Sequence, residues 1–358
     1  MKCISIVGAR PQFIKLAALH RVLIKQAELK HIIVHTGQHY DQNMSDIFFS
    51  QLEIPRPDFN LKIPTLPFGA ALPQMRSAIE NILNEENPSI VIVFGDTNST
   101  LAGALAANNT GTPLAHVEAG VRSFNPEMPE EYNRIETDKV SNLLFCPSEV
   151  AIKNLSVEKL TPGAKIVFTG DIMYDAIRHY SLTDYAPSPI TETILRSGKF
   201  VLATIHRQSN LTSSKILNQI TQALNTIAGK IHVVMPVHPR TRDALLKIST
   251  PVQFTLVDPL GYLDMLKLLN HCQLVLTDSG GLQKEAFYCK KMCVTIRNET
   301  EWTELVKAGG NIVAGTSVNG ILVAFAKCLT CEGKFTGNYF GNGNAAEIMT
   351  TEILNYRP

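Results

Sequence analysis

The sequence predicts an α/β protein built around two parallel sheets, and two observations support that prediction. Short apolar runs rich in branched residues alternate with segments of helical periodicity along most of the 358 residues. The run at residues 89–94 is almost wholly apolar, which is typical of a parallel strand covered on both faces. Since the alternation restarts after a polar segment at residues 181–198, we expect two domains with helices on both faces of each sheet.

The first half of the chain accounts for one sheet. A helix is expected to start near Pro11, where the missing N–H costs nothing, and to run through Gln26. Further helices are predicted near residues 44–52, at residues 74–86 and after the polar cap at residues 95–100. Prolines at 55, 57, 64, 67 and 73 indicate a long connection, of the kind that is usually functional or mobile. The predicted strands are residues 3–7, 32–34, 89–94, 113–117, 143–147 and 165–169.

The second half repeats the pattern after a domain boundary near residues 170–195. A glycine-rich turn at residues 337–344 ends in Asn344, a plausible cap for a final helix at 345–356. The predicted strands are residues 200–205, 232–236, 254–257 and 274–277, and the helices lie near residues 213–228, 240–248 and 262–270.

Composition excludes several classes of protein. Hydrophobic residues make up 45% of the chain, which is ample for two cores, and the net charge of +1 comes without a basic block, so no nucleic-acid partner is expected. No apolar run is long enough for a signal peptide or a membrane span, and we therefore expect a cytoplasmic protein. Among the seven cysteines, Cys328 and Cys331 lack a second pair at zinc-ligand spacing, so we predict buried free thiols and no metal.

Ligands of open parallel sheets bind at the carboxyl ends of the strands, so the polar residues that follow apolar runs are the candidate site residues. Ser279, Gly280 and Gly281 lie between a predicted strand and a helix, where glycines and free N–H groups suit a phosphate. Glu285, about one turn into that helix, could accept hydrogen bonds from sugar hydroxyls. An ordinary capped strand-to-helix turn is the alternative. Arg10 and Lys15 favour an anionic ligand such as a diphosphate.

Four carboxylates are candidates for proton transfer, because neighbouring acids in a partly desolvated site can divide acid and base roles. They are Asp96, Glu118, Glu130 and Glu131. Singly, Asp96 could be a helix cap, and Glu130 or Glu131 a solvated face.

Histidines also lie at or beside predicted strand ends. His206 could be a charge partner, an acid or a structural residue. His116, inside an apolar strand, is expected in the core. His238 is grouped with the substrate-binding candidates, because it also follows a strand.

Several of these segments together resemble the non-hydrolysing UDP-N-acetylglucosamine 2-epimerase family, from the first strand to the last helix. The motifs are Gly8-Ala-Arg10-Pro-Gln12-x-Ile-Lys15, Gly95-Asp96-Thr97, Glu118-Ala-Gly120-x-Arg122, Pro129-Glu130-Glu131-x-Asn133-Arg134, Thr204-x-His206-Arg207, Asp278-Ser-Gly-Gly281-x-Gln-x-Glu285 and Gly341-x-Gly343-x-Ala-Ala346-Glu347. The stretch from Ala9 to Gln12 is similar to the branch that acts on UDP-2,3-diacetamido-2,3-dideoxyglucuronate.

The resemblance implies two Rossmann-like domains that face each other across a cleft, as in glycosyltransferases of the B type, with the last helix crossing back to the first domain. The domains would be residues 1–175 and 176–340, with the crossover helix at 341–358. A UDP-sugar substrate, no cofactor, no metal and a homodimer are expected.

The implied reaction interconverts UDP-N-acetylglucosamine and UDP-N-acetylmannosamine for cell-surface polysaccharides. It removes the C2 proton, eliminates UDP to leave 2-acetamidoglucal and adds UDP back. By resemblance, Asp96, Glu118 and Glu130 supply acid and base groups, and Arg10, Lys15 and Arg134 stabilise charge. His206 would lie near the diphosphate, which Ser279, Gly280 and Gly281 would hold, while Glu285 would bind the ribose.

Other functions remain open from the sequence. The diacetamidoglucuronate epimerase is the first alternative, and a B-type glycosyltransferase, which needs an acceptor and shows no C2 exchange, is a more distant one. Hydrolysing 2-epimerases tend to begin Gly-Ser-Arg-Ala-Glu, unlike the Gly8 to Gln12 segment here. A nucleotide-sugar sensor need not keep Asp96, Glu118 and Glu130 together.

Overall fold

The computed structural model describes residues 1–37, 48–63, 71–159, 163–331, 333–335 and 337–357. The described chain divides into two compact units, one of Met1–His179 with Asn338–Pro358 and the other of Tyr180–Gly337. The predicted helix near residues 44–52 lies partly outside the described residues, as does part of the proline-containing connection.

The first unit contains a parallel sheet, which within the described residues has seven strands in the order β3-β2-β1-β4-β5-β6-β7. Its strands are β1 Lys2–Val7, β2 Lys30–His35, β3 Phe59–Asn60, β4 Ile90–Phe94, β5 Leu114–Val117, β6 Leu143–Cys146 and β7 Lys165–Phe168. Its helices are α1 Arg10–Leu23, α2 Leu72–Glu86, α3 Asn98–Thr110, α4 Pro129–Lys139, α5 Glu149–Glu158, the connecting helix α6 Ile172–Ser181 and, at the end of the chain, α15 Ala345–Asn355.

Local signals explain where the first unit's helices start. Pro11 and Pro129 occupy first-turn positions of α1 and α4, where no N–H is needed. Thr97 caps α3 by accepting a hydrogen bond from the Thr100 N–H, and Ser148 caps α5 in the same way. Strands β1 and β4 are buried on both faces, which accounts for their apolar sequences.

The last helix packs within the first unit. The Ala346 N–H donates to the Asp175 carboxylate at 2.8 Å, and α15 contacts α1. Gly170 has φ +78°, and a Cβ there would meet the Phe340 carbonyl oxygen at 2.6 Å, so only glycine allows this approach of the two segments. Burial raises the pKa of Asp175 to about 6.

The second unit contains another parallel sheet, and its described residues form six strands in the order β10-β9-β8-β11-β12-β13. Its strands are β8 Phe200–Thr204, β9 His232–Pro236, β10 Thr255–Val257, β11 Leu274–Thr277, β12 Met292–Thr295 and β13 Asn311–Val313. Its helices are α7 Pro189–Arg196, α8 Gln208–Thr212, α9 Ser214–Ala228, α10 Pro239–Leu246, α11 Tyr262–His271, α12 Gly280–Tyr288, α13 Thr303–Lys307 and α14 Val318–Thr330.

Apolar clusters cover both faces of the second sheet. Val201 and Ala203 of β8 belong to one cluster with residues of α9 and α14. Phe200 and Leu202, which point the other way, belong to a second cluster with residues of α11 and α12. This alternation follows from the two-residue repeat of a strand, and it places a core on each side of the sheet.

The predicted α/β class with two parallel sheets is confirmed, although some elements were missed. Strand β3 has two residues, too few for a periodicity, and β13 directly follows Gly309 and Gly310. Strand β12 is a short apolar run between charged residues, Lys290 and Lys291 before it and Arg297 after it. The polar segment after residue 181 includes a helix, α7, whose start is marked by Pro189.

The prediction of buried free thiols is confirmed for Cys3, Cys146, Cys272, Cys293 and Cys328, but it is wrong for Cys331, which is exposed, and Cys289 is half-buried. Burial raises the pKa of Cys3 and Cys272 to about 12. Among the described residues, no helix is long and apolar enough to cross a membrane.

Candidate active site

Each sheet has a point at which the strand order reverses. In the first unit, β1 lies between β2 and β4, and in the second unit β8 lies between β9 and β11. The loops that follow the two adjacent strands at such a point run to opposite sides of the sheet. They leave a crevice between them at the carboxyl ends of the two strands. The segments after β1 and β4 contain Lys15 and Asp96, and those after β8 and β11 contain His206 and Ser279.

Lys15 and Glu118 form an ion pair in the first unit. The Lys15 Nζ lies 2.9 Å from the Glu118 Oε1, and the two side chains are 6% and 10% exposed. Gly95 lies beside them with φ +65°, and a Cβ there would be 3.1 Å from the Lys15 Nζ. The low exposure strengthens the attraction between the two charges relative to a surface pair. Helix α1, strand β4 and strand β5 therefore bring these three residues together.

Glu118 has an unusual backbone conformation directly after β5. Its φ is +78°, a left-handed value that costs a residue with a side chain about 1–3 kcal/mol. The Glu118 and Ala119 N–H groups both donate to the Phe145 carbonyl oxygen of β6, at 3.1 and 3.0 Å. The neighbouring strand thus holds the turn that directs the Glu118 side chain toward Lys15.

Asp96 pairs with Arg134 of α4. The guanidinium Nη2 donates to the Asp96 Oδ2, and the Nη1 lies 3.0 Å from the Glu131 Oε2. Asn133 of the same helix donates from Nδ2 to the Asp96 backbone carbonyl at 2.9 Å. Helix α4 therefore positions both the backbone and the carboxylate of Asp96, whose side chain remains 25% exposed.

Glu131 has a structural role, unlike the proton-transfer role that the sequence allowed. It is 3% exposed, and its carboxylate accepts hydrogen bonds from the Ser123 N–H at 2.8 Å and the Phe124 N–H at 2.9 Å. With Arg134 also bound, its oxygens are used within the protein. Glu131 fixes the loop after Glu118 and holds Arg134 in place for Asp96.

His116 is a core residue, as the sequence predicted. Its Nδ1 lies 2.7 Å from the Asp138 Oδ1 and its Nε2 lies 2.8 Å from the Gly95 carbonyl oxygen, and the side chains of His116 and Asp138 are fully buried. Arg122 donates to the same Asp138 carboxylate at 2.7 Å. Although burial opposes ionisation of Asp138, its pKa is lowered by His116 and Arg122.

The start of α12 is the candidate anion site of the second unit. Ser279 is the N-cap, and its Oγ accepts from the Leu282 N–H. Among the described residues, a Cβ on Gly281 would meet only the Ser279 Oγ, at 3.9 Å, so in this part of the chain the helix start is open beside Gly281. A Cβ on Gly280 would lie 2.1 Å from the Glu301 Oε1, so this position is closed. Free N–H groups and the helix dipole suit a phosphate here.

The segment that packs against Gly280 carries several buried charges. Arg297 and Glu301 are each 6% exposed and form an ion pair of 2.9 Å between Nη1 and Oε2. Lys284 is 1% exposed, and its Nζ lies 4.1 Å from the centre of the Trp302 ring. These contacts place Glu301 and Trp302 against the first turns of α12, where they support the start of the helix.

His206 and Asp278 form the second His–Asp pair. The His206 Nδ1 lies 3.1 Å from the Asp278 Oδ1, and the His206 side chain is 52% exposed while that of Asp278 is fully buried. Asp278 also accepts from the backbone N–H groups of His206 and Arg207 and from the Asn210 amide. Burial opposes its ionisation, but the His206 hydrogen bond and charge and the other donors lower the pKa of Asp278. The pair leaves the His206 Nε2 on the side away from Asp278.

Three of the remaining candidates lie at helix starts, and Glu285 lies in the second turn of α12. Arg10 starts α1, with its guanidinium 4.9 Å from the centre of the Phe48 ring. Glu130 lies in the first turn of α4 with a partly exposed side chain, and Glu285 lies in α12, also partly exposed. His238 caps α10, because its Nδ1 accepts from the Arg240 N–H at 3.4 Å. Their roles in binding or proton transfer stay predictions.

Two residues with clear positions in the site were assigned no role from the sequence. Asn133 holds the Asp96 backbone, and Gln12, beside the Gly8 turn, contacts the end of β4. Both belong to motifs that the sequence showed, but an amide gives no sign of its partner before the fold is known. Within the described ranges, no group of three or more His, Cys, Asp or Glu side chains is arranged to hold a metal ion.

Comparison with known proteins decides the family. A family profile described as UDP-N-acetylglucosamine 2-epimerase matches residues 21–354. The chain belongs to the UDP-N-acetylglucosamine 2-epimerase family. A relative from Pseudomonas aeruginosa, named UDP-2,3-diacetamido-2,3-dideoxy-D-glucuronate 2-epimerase, is 47% identical over 97% of each chain. A UDP-N-acetylglucosamine 2-epimerase from Methanococcus maripaludis is 37% identical over 98% of this chain and 97% of its own length.

Solved structures of this epimerase family share the fold. The structure of the Methanocaldococcus jannaschii UDP-GlcNAc 2-epimerase in complex with UDP-GlcNAc and UDP is 36% identical, covers both chains fully and gives a TM-score of 0.91. The structure of the Neisseria meningitidis enzyme bound to UDP-GlcNAc gives a TM-score of 0.87. It is 28% identical and covers 99% of this chain and all of that chain. The family and the enzyme class predicted from sequence, an isomerase of nucleotide sugars, are confirmed.

Proposed function

We propose that this protein epimerises C2 of a UDP-2-acetamido sugar, with UDP-2,3-diacetamido-2,3-dideoxyglucuronate as the preferred substrate. One observation carries the proposal. Asp96 and Glu118 follow the adjacent strands β4 and β5, and each carboxylate is paired with a cation, Arg134 or Lys15, in a partly or largely buried position. Two acids at neighbouring strand ends suit a reaction that removes and returns a proton.

The proposed chemistry needs no net oxidation. A base takes the C2 proton while the C1–O bond to UDP breaks, which forms the C1=C2 double bond of the 2-acetamidoglucal. An acid then returns a proton to C2 on the opposite face, and the UDP oxygen bonds again to C1. We assign the acid and base roles to Asp96, Glu118 and Glu130, and the stabilisation of charge to Arg10, Lys15 and Arg134.

The leaving group is assigned to the second unit. UDP carries two phosphates, and the start of α12 at Ser279, Gly280 and Gly281, which is open beside Gly281, offers N–H donors for them. The half-exposed His206 would donate to the diphosphate from its Nε2, and Glu285 would bind the ribose. Fixed donors matter here because negative charge develops on UDP as the C1–O bond breaks. His238 is assigned to the same ligand.

The diacetamidoglucuronate is preferred for two reasons. The Pseudomonas aeruginosa relative of that name is 47% identical, against 37% for two archaeal relatives named UDP-N-acetylglucosamine 2-epimerase. The segment from Ala9 to Gln12 also matches that branch. UDP-N-acetylglucosamine is the second candidate, because the structure at TM-score 0.91 contains it.

Deuterium exchange tests the proposal. The protein is incubated in D2O with each UDP-sugar separately, and deuterium at C2 is followed by NMR or mass spectrometry. We expect exchange with both epimers formed, and a higher kcat/KM for the diacetamidoglucuronate. If neither sugar exchanges its C2 proton, the proposed function is rejected. A higher kcat/KM for UDP-N-acetylglucosamine would reverse the substrate assignment. A B-type transferase would show no exchange without an acceptor.

We further propose that the protein is a cytoplasmic homodimer that supplies cell-surface polysaccharide precursors. These expectations come with the family resemblance. Sedimentation at several protein concentrations tests the dimer, and the glycan composition of a strain that lacks the protein tests the pathway.

A further inference from the structure

Phe124 combines two features that oppose folding. Its φ is +57°, a left-handed value that is rare for a bulky residue and strains the backbone. The residue is also 74% exposed, so its ring gains little stabilisation from burial. A lone exposed aromatic residue is ordinary, but one that is also strained is not. Stability of the fold therefore does not account for an aromatic ring at this position.

The other described residues that combine a side chain with a positive φ are polar or charged. They are Glu53, Lys62, Asn87, Glu118, Lys159 and Lys290. Asn87 and Lys159 are the C-caps of α2 and α5, where a left-handed residue ends a helix. Phe124 instead lies in the loop between β5 and α4, which also contains Glu118. The structural reason that applies to a helix cap does not apply to Phe124.

Hydrogen bonds fix the backbone around Phe124 while its ring stays in solvent. The Glu131 carboxylate accepts from the Phe124 N–H at 2.9 Å and from the Ser123 N–H at 2.8 Å. The next turn of the loop is closed by the Met128 N–H, which donates to the Asn125 carbonyl oxygen at 3.1 Å. The ring is thus presented from an ordered backbone, so a ligand that binds it has little backbone to order.

The same carboxylate ties Phe124 to the proposed reacting groups. While one oxygen of Glu131 holds the Phe124 N–H, the other lies 3.0 Å from the Arg134 Nη1. The Nη2 of that guanidinium donates to Asp96. The loop itself begins at Glu118, the other acid at this edge of the sheet. A sugar placed at Asp96 and Glu118 therefore lies next to the loop that carries the ring.

We propose that the Phe124 ring binds the sugar of the UDP-sugar substrate by packing on the apolar C–H face of the sugar ring. The inference rests on the proposed function. It makes Phe124 a substrate-binding residue and gives it no part in proton transfer. An aromatic ring offers a flat apolar surface, and covering it removes apolar area of both partners from water. The ring that folding leaves exposed is buried when the sugar binds.

The variant Phe124→Ala tests the contact, because it removes the ring and keeps a side chain at the left-handed position. We expect the KM for C2 exchange to rise about tenfold, or roughly 1.4 kcal/mol, with kcat within about threefold of wild type. The Kd of UDP-N-acetylglucosamine, measured by calorimetry, should rise with KM. The Kd of UDP alone should stay within about twofold, because UDP lacks the sugar. Phe124→Tyr keeps the ring and should bind like wild type.

A glycine variant separates the ring from the backbone strain. Phe124→Gly should raise KM as much as Phe124→Ala does, although the midpoint of its urea denaturation stays equal or rises because the strain is relieved. Lys159→Gly is the matched control, since Lys159 is exposed with φ +54° at the end of α5. It relieves the same kind of strain away from the site and should leave KM unchanged.

Each outcome decides the inference. It is overturned if Phe124→Ala leaves KM and the affinity for the UDP-sugar unchanged, or if it weakens UDP binding by the same factor. A rise of KM in Phe124→Gly alone would assign the effect to the backbone and also overturn it. If sedimentation shows that Phe124→Ala weakens self-association while KM is unchanged, the ring contacts a second copy of the chain and the inference is wrong.

Failure of the wild-type protein to exchange the C2 proton would instead reject the proposed function. The calorimetric Kd values for the UDP-sugar and for UDP would then still decide whether Phe124 contacts the sugar.

Discussion

The two parallel sheets share one order over six strands, to which the first sheet adds β7, but they carry different side chains at the ends of their central strands. In the first unit, Glu118 and Asp96 are paired with Lys15 and Arg134. In the second unit, the equivalent position is the open helix start beside Gly281. The same backbone therefore supports two kinds of chemistry, and the strand-end residues decide which. The difference supports proton transfer by the first unit and anion binding by the second.

The two His–Asp pairs show the same contrast. His116 and Asp138 are both fully buried, and both ring nitrogens of His116 have partners within the protein. His206 has the same type of partner in Asp278 but is 52% exposed. Exposure, and not the pair itself, distinguishes the structural histidine from the candidate ligand-binding one.

The largest expected effect comes from Glu118→Gln, which tests the assignment of proton transfer to the first unit. If this variant lost UDP affinity by the same factor as C2 exchange, the assignment would be wrong. We expect C2 exchange to fall about a thousandfold or more, because a proton acceptor is lost. UDP affinity, measured by calorimetry, should change less than about tenfold, or roughly 1.4 kcal/mol. Glu149→Gln, at an exposed position, is the matched control. Retained exchange would remove Glu118 from the mechanism.

Asp278→Asn should cost about 2–4 kcal/mol of unfolding free energy, because an amide NH2 would face backbone N–H donors. The pKa of Asp278 is lowered in the folded protein, so its stabilisation is present above the ordinary aspartate pKa of about 3.9 and is lost as pH falls through the lower folded value. Urea denaturation should therefore show that the unfolding free energy of the variant falls less between pH 6 and pH 3 than that of wild type. Asp243→Asn, which is exposed, should behave like wild type. An unchanged acid dependence would contradict the assignment.

Alanine variants of Gly280 and Gly281, the adjacent glycines of α12, test which part of the helix start is open to an anion. Gly280→Ala is expected to cost about 1–3 kcal/mol, since its Cβ would overlap Glu301. Gly281→Ala has room and should be neutral or stabilising by up to about 1 kcal/mol, because alanine favours helices. If phosphates approach the helix start, however, Gly281→Ala should weaken UDP binding. Urea denaturation and calorimetry on the same two variants separate these effects, and equal stabilities would contradict the packing.

The smallest effect is expected for His206→Gln. Loss of one hydrogen bond to the diphosphate should weaken UDP binding about threefold to tenfold, or about 1 kcal/mol. His206 bonds the fully buried Asp278 but is itself half exposed, and glutamine can keep a hydrogen bond, so the unfolding free energy should change by less than about 1 kcal/mol. Binding is measured by calorimetry and stability by urea denaturation. Unchanged UDP affinity would remove His206 from the ligand site.

Much of the fold followed from local patterns. Apolar strands such as β4 and β11 are continuous runs, and Pro11, Pro129 and Thr97 mark helix starts, so these elements could be predicted. Strand β3 could not, because two residues carry no periodicity, and β13, although as long as the predicted β10, directly follows Gly309 and Gly310. Such strands form only because a neighbouring strand offers hydrogen bonds.

The sequence by itself determined the strand–helix alternation, the motifs at the strand ends and the resemblance to the epimerase family, because these depend on neighbouring residues. Only the tertiary structure decided which charged residues serve which purpose. Glu131 and Glu118 look equivalent in sequence, yet one is bound to backbone N–H groups and the other to Lys15. Gln12 likewise reaches a residue 82 positions away. Partners distant in sequence meet only when the sheet forms, so a residue's type shows which bonds it can make, and the fold decides which it makes.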